Sequence, residues 1–202
     1  MKPTLLLILC LILNFEGFSQ IATTYDVVIP FEGELTAVKK NNQWGFINKN
    51  GELVVDYRND FVLTKSKDDT TMYPVFKNER CMVKKLVNNA NYYGFIDTKG
   101  NETINPSFLN ASNFKDGYAI VVKLLKDSLS YNKVLKKSIS SYRIEEYVID
   151  TQGNLVKYLE NPLNFDISKI STNNPPKIRS KFIGDHLVTV LKKNNKWDIY
   201  KF

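Results

Sequence analysis

One short string occurs twice in this chain. Lys39-Lys40-Asn41-Asn42-Gln43-Trp44 returns as Lys192-Lys193-Asn194-Asn195-Lys196-Trp197, an offset of 153 residues, or three steps of 51. Between the two lie Tyr93-Gly94-Phe95-Ile96-Asp97-Thr98-Lys99-Gly100 and Tyr147-Val148-Ile149-Asp150-Thr151-Gln152-Gly153. Gly51, Gly100 and Gly153 sit 49 and 53 residues apart. A recurrence near 50 residues points to a repeat architecture. Each unit is then one supersecondary motif that cannot bury its apolar face alone and stacks on the next copy.

The unit reads as three strands. The first is an alternating run rich in β-branched and aromatic residues: Phe31 to Val38, Phe76 to Val83, Phe114 to Val121 and Phe182 to Val190. Asn41-Asn42 and Asn194-Asn195 mark tight turns, because asparagine tolerates positive φ. The second strand is Trp44-Gly45-Phe46-Ile47, Tyr93 to Ile96, Tyr147-Val148-Ile149 and Trp197-Asp198-Ile199-Tyr200. Asp97 and Gly100, Asp150 and Gly153, and Asn48 and Gly51 then hold the first and fourth places of a turn. The side chain at the first place caps a type I turn, and the glycine takes the left-handed position that restarts the strand. The third strand is Leu53-Val54-Val55, Thr103-Ile104 and Leu155-Val156, with Pro106 read as the end of the second copy.

The expected fold is therefore all-β: tandem repeats of about 50 residues, each a three-stranded antiparallel meander, stacked in an open array. A small closed propeller is the alternative. Tyr25-Asp26-Val27-Val28-Ile29-Pro30 looks like a further third strand. Paired beside copy one it leaves the array open; paired beside Trp197–Phe202 it closes a ring.

Trp44-Gly45-Phe46-Ile47 before Gly51, and Tyr93-Gly94-Phe95-Ile96-Asp97 before Gly100, resemble WG repeats, a bacterial β-repeat family named for its Trp-Gly pair. Copy three departs from the pattern with Glu146-Tyr147, and copy four with Trp197-Asp198. The resemblance implies a β-repeat scaffold, often exported, that binds rather than catalyses. It implies no common ligand and no shared catalytic residues.

Residues 1–19 read as a secretory signal peptide. Lys2 is the positive end, Leu5 to Leu13 are nine consecutive apolar residues, and Gly17 and Ser19 place small residues before a cut at Gln20. Nine residues are too few to span a bilayer, so no transmembrane segment is expected after cleavage. The expected location is periplasmic or extracellular. Residues 20–202 form one expected β-repeat domain, with repeats at 31–60, 76–110, 114–158 and 182–202. Three segments break the period: 60–75 with the polar run Lys65 to Thr71, 124–143 read as a long hairpin or arm, and 159–179 with Asn173-Asn174-Pro175-Pro176. Insertions of this kind are where repeat proteins carry function.

Recognisable catalytic chemistry is absent from the sequence. His186, the only histidine, falls in an expected strand, and Cys81, the only cysteine after residue 19, reads as a small buried side chain. One histidine and one such cysteine do not supply a zinc site of the usual kind. No phosphate loop, nucleophile elbow or ordered triad occurs. Asp68-Asp69 and Glu145-Glu146 are read as solvated charge, and the aromatic residues as core. No catalytic, cofactor or metal residue is expected.

The formal charge is +7. Lys39-Lys40, Lys84-Lys85 and Lys192-Lys193 fall at one point of the repeat, the end of the first strand, and would line one edge if the copies stack in register. They either guard a strand edge or form a positive track for an anionic polymer. The expected function is a non-enzymatic exported interaction or scaffold module whose partner is an unidentified protein. The alternatives are a binder of acidic envelope polymers (a glycan or lipopolysaccharide) through these lysines, and an unrecognised enzyme. Nucleic acid is not an expected partner of an exported protein.

Overall fold

The computed structural model describes residues 23–65, 71–132, 137–169 and 174–202. The proposed leader, Asp68 and Asp69 in the 60–75 excursion, the tip of the 124–143 segment and Asn173 lie outside the described residues.

Four antiparallel sheets follow one another along the chain. The first contains β1 (Val27–Val28), β2 (Leu35–Lys40), β3 (Gln43–Asn48) and β4 (Leu53–Arg58). A two-stranded hairpin, β5 (Thr64–Lys65) and β6 (Met72–Tyr73), leads to the second sheet of β7 (Phe76–Lys77), β8 (Arg80–Val87), β9 (Ala90–Ile96) and β10 (Glu102–Phe108). The third holds β11 (Asn110–Ala111), β12 (Tyr118–Asn132), β13 (Lys137–Asp150) and β14 (Leu155–Tyr158), with β15 (Leu163–Asn164) also on β13. The fourth is β16 (Ser180–Gly184), β17 (Leu187–Leu191) and β18 (Trp197–Lys201). None of these sheets closes into a barrel.

The sheets stack because successive side chains on a strand point to opposite faces. Ala37, Trp44, Phe46 and Val55 of the first sheet pack on Phe61, Cys81, Val83 and Ile96. The neighbouring residues Met82, Tyr93 and Phe95 turn the other way, onto Phe114, Ala119, Val121 and Ile149. Ile120 and Val148 then meet Val188 and Val190 of the fourth sheet. At two of these interfaces a phenylalanine from the following copy stands edge-on to one from the preceding copy. Phe76 stands on Phe46 at 4.6 Å and Phe114 on Phe95 at 4.8 Å.

Copies are also joined along the backbone. The chain leaving the third strand of copies one and two crosses to the next sheet and pairs beside its first long strand, whereas after β14 it returns to β13 of its own sheet. Val62 N–H bonds Met82 C=O, and Leu109 N–H bonds Val122 C=O. The N-terminal strand does the same for copy one, since β1 pairs with β2. This is the open arrangement.

The turns follow the spacing. Gly51, Gly100 and Gly153 all have positive φ, and each donates its N–H to the carbonyl three residues back. Gly100 rests 3.3 Å from Val55, and Gly153 rests 3.2 Å from Ile104, measured from where a Cβ would sit. Gly100 and Gly153 thus lie on the third strand of the preceding copy. The glycine of the Trp-Gly pair has another cause. A Cβ on Gly94 would lie 2.3 Å from the Ile104 carbonyl oxygen, so the third strand passes where a side chain would be. In copy three the same place is Tyr147, and there β14 pairs directly opposite at Tyr158.

Several expectations change. The runs starting at Phe76, Phe114 and Phe182 are not single strands. They turn at Asn78-Glu79, Asp116-Gly117 and Asp185-His186, where positive φ closes a tight hairpin. His186 is therefore in a turn and not in a strand. Its ring lies 5.3 Å from Tyr118 and 5.6 Å from Phe202. Pro106 does not end the second copy, because β10 continues to Phe108 through an irregular register that needs no donor there. The 124–143 segment is a hairpin continuous with the meander, with β12 and β13 paired from Tyr118↔Asp150 to Asn132↔Lys137.

Candidate functional site

Glu145 and Glu146 are buried and not solvated. Glu146 takes the place in copy three that Trp44 and Tyr93 hold in copies one and two. Its carboxylate accepts hydrogen bonds from the Ser180 hydroxyl, from Asn161 Nδ2 at 2.9 Å and from Arg179 N–H at 2.8 Å. Arg179 Nε stands 3.5 Å from the same carboxylate. Glu145 points to the opposite face and is held by Arg143 Nε at 2.7 Å and by the Tyr147 hydroxyl. Burial and that bond to Glu145 push the Tyr147 phenol up to about 12. A buried carboxylate requires partners of this kind, which a strand read by itself does not reveal. Adjacent carboxylates facing opposite ways are not a general acid and base across a cleft.

The lysines occupy two settings. Lys39 is paired opposite Trp44 and Lys84 opposite Tyr93, so these two share one register position; Lys40 and Lys85 follow them, opposite Gln43 and Tyr92. Lys39 Nζ lies 5.9 Å from the centre of the Trp44 ring. Lys192 and Lys193 lie beyond β17, in the turn, and the residue opposite Trp197 is Leu191. Lys192 Nζ donates to the Tyr200 hydroxyl at 2.6 Å and to Glu160 C=O at 3.0 Å, and stands 3.6 Å from Asp198. It lines a cleft of about 380 Å³ with Arg179, Lys193 and Asn194. The six lysines therefore do not form one register-aligned row.

A larger cleft of about 510 Å³ opens between copies one and two. Its floor is Ile29, Leu35, Phe46 and Phe76, and the 60–75 excursion supplies Tyr73 and Pro74 to its wall. Glu32, Lys77 and Lys99 stand at its rim. The insertion thus walls a cleft, which its polar sequence does not suggest. Among the described residues no group of three or more His, Cys, Asp or Glu side chains could hold a metal. Burial pushes the Cys81 thiol up, which keeps it protonated in the core. No described helix is long and apolar enough to cross a membrane.

The fourth sheet differs from the others in what it leaves uncovered. Trp44 and Phe46 are 7% and 2% exposed, and Tyr93 and Phe95 are 8% and 1%, because the following sheet covers them. Their counterparts Trp197 and Ile199 are 49% and 64% exposed. Lys181 Nζ lies 4.9 Å from the centre of the Trp197 ring. Tyr200 and Phe202, on the other face, pack on the third sheet.

A family model described as WG containing repeat matches residues 21–44, 44–62 and 93–123. No solved structure matches the chain. The first two matches take in the first sheet and its crossover at Phe61, and the last runs from Tyr93 into β12. Three stretches of the chain match the WG repeat, which supports a WG-repeat protein.

Proposed function

We propose that this is an exported, non-enzymatic β-repeat protein that acts as an interaction or scaffold module. The family match supports a β-repeat protein of non-enzymatic type. The observation that carries the interaction role is the exposure of Trp197 and Ile199 at positions buried between sheets in copies one and two. Exposed large apolar side chains in a group mark interaction surfaces. The test places a photo-cross-linking residue at Ile199 and, as a control, at exposed Leu86, in the protein expressed in its host. The expected result is a discrete adduct at Ile199 that is absent at Leu86 and lost with Trp197→Ser. Equal, diffuse labelling at both positions would overturn the reading. Export is checked on the same material, where the mature chain is expected to begin at Gln20; a chain that keeps Leu5 to Leu13 would overturn it.

A second reading, binding of an anionic envelope polymer, is supported by the shared register of Lys39 and Lys84 and by the net charge of +7. Glycans or lipopolysaccharide are the chemistry that fits an exported basic protein.

A further inference from the structure

We infer that the free edge of β18 accepts an extended segment of another polypeptide as an antiparallel third strand, and that this segment reads acidic-x-apolar-x-apolar. The inference rests on the interaction role proposed above and adds its mode and its chemistry.

The backbone of β18 shows which groups are available. Phe202 N–H bonds His186 C=O at 3.1 Å, and Lys192 N–H bonds Lys196 C=O at 2.9 Å. In an antiparallel pair bonding falls on alternate residues. Residues 196, 198, 200 and 202 therefore face β17, and Trp197, Ile199 and Lys201 turn their N–H and C=O groups to the other edge. Among the described residues β18 pairs with β17 alone. In the first sheet the matching residues Trp44 and Phe46 pair with Arg58 and Val55 of β4. In the second, Tyr93 and Phe95 pair with Phe108 and Ile104 of β10. The fourth sheet thus presents half of a ladder that two earlier sheets complete.

Side chains specify the occupant. Trp197, Ile199 and Lys201 alternate onto one face, and Lys181 joins them over the Trp197 ring. Asp198, the acid within β18, points to the other face beside Lys192. A strand running antiparallel meets Lys201 first, then Ile199, then Trp197. An acid opposite Lys201 followed by apolar residues opposite the other two is the complementary order. The first sheet already places an acid there. Asn48, the counterpart of Lys201, donates its N–H to Glu52 C=O at 3.0 Å and its side-chain amide to Glu52 Oε2 at 2.6 Å. Strand addition of this kind draws affinity from main-chain bonds and specificity from alternate side chains. A second copy of this chain is the poorer occupant, because each copy carries a net charge of +7.

The test is amide exchange by NMR on the full mature chain, with a capped synthetic peptide containing Glu-Thr-Val-Thr-Val. Exchange at Trp197, Ile199 and Lys201 is expected to slow, with Asp198 and Tyr200 changing less. Replacing Glu by Lys in the peptide is expected to weaken binding about tenfold at low salt, since an attraction becomes a repulsion. Replacing a valine by Pro is expected to abolish it. Unchanged exchange at the three odd-numbered residues under saturating peptide would overturn strand addition. So would the same protection arising without peptide through self-association, which would assign the edge to a second copy. Cross-linking at Ile199 that depends on Trp197, with no peptide effect on those amides, would overturn strand addition alone and leave the interaction role standing.

Discussion

At the scale of single residues, the glycines and one glutamate carry the sharpest consequences. Gly100 has φ of +88° and sits on Val55. Gly100→Val meets both a forbidden backbone region and a neighbour 3.3 Å away, and is expected to cost about 1–3 kcal/mol in a denaturant titration. An unchanged midpoint would contradict the turn. Glu146→Leu takes the carboxylate away from buried Asn161 and Ser180 and from Arg179 Nε. The expected loss is about 3–5 kcal/mol, because one partner of a buried charge pair is removed; a loss under about 1 kcal/mol would mean that water replaces the carboxylate. The turn aspartates set a pH dependence. Slight burial pushes the Asp97 and Asp150 carboxyls up, but bonds from the Asn101 and Asn154 amides and from the Lys99 and Gln152 N–H groups outweigh it. Both carboxyls end below the usual aspartate value of 3.8. A carboxyl depressed in the folded state stabilises above its unfolded value and loses that contribution as pH falls through the folded value. Acid titration is therefore expected to lower the unfolding midpoint below about pH 4, and less steeply in Asp97→Asn.

At the scale of elements, identical strings take different shapes. Lys39-Lys40-Asn41-Asn42 ends a strand in a two-residue turn with positive φ at both asparagines. Lys192-Lys193-Asn194-Asn195 is a four-residue turn in which only Asn195 has positive φ. Its backbone bonds, Asn195 N–H to Lys192 C=O and Lys192 N–H to Lys196 C=O, repeat those of Asn48 to Gly51. The longer turn slips the register by one residue, which flips every side chain of β17. Val188 and Val190 then face the third sheet. The copy-one register would have sent Thr189 and Leu191 there. The N-terminal strand belongs to this scale as well. Deleting residues 23–30 is expected to remove amide-exchange protection within residues 35–40 and leave Ile199 and Tyr200 unchanged. Loss at Ile199 instead would mean that the array closes in solution.

At the scale of the whole molecule, stability comes from interfaces between consecutive sheets, each burying one face of two copies. No internal disulfide is present among the described residues, where Cys81 is free and buried. The lysines act at this scale if they act together. Changing Lys39, Lys40, Lys84 and Lys85 to Ser is expected to weaken binding to heparin or lipopolysaccharide and to reduce its salt dependence, because fewer counterions are released. Lys192 is left out of that variant because its bonds to Tyr200 and Glu160 hold the last turn. Affinity unchanged across the salt series would leave the four lysines as protection of strand edges.

The repeat, its length near 50 residues, the three-stranded meander and the turn glycines were all legible in the sequence. Each depends on local rules: alternation along a strand, and the backbone freedom of glycine beside an aspartate that bonds the next amides. The hairpins at Asn78, Asp116 and His186 escaped that reading, because asparagine, aspartate and histidine tolerate positive φ without requiring it, so one such residue inside an apolar alternating run does not mark a turn. Tertiary structure alone decided where the neighbours of each copy lie. It made Glu146 a buried carboxylate, since its partners Asn161 and Ser180 are 15 and 34 residues away. It set two turns for one string, since core packing of Val188 and Val190 selects the register. It also left Trp197 uncovered while burying Trp44, since cover for a sheet face comes from the sheet that follows and not from the residue itself.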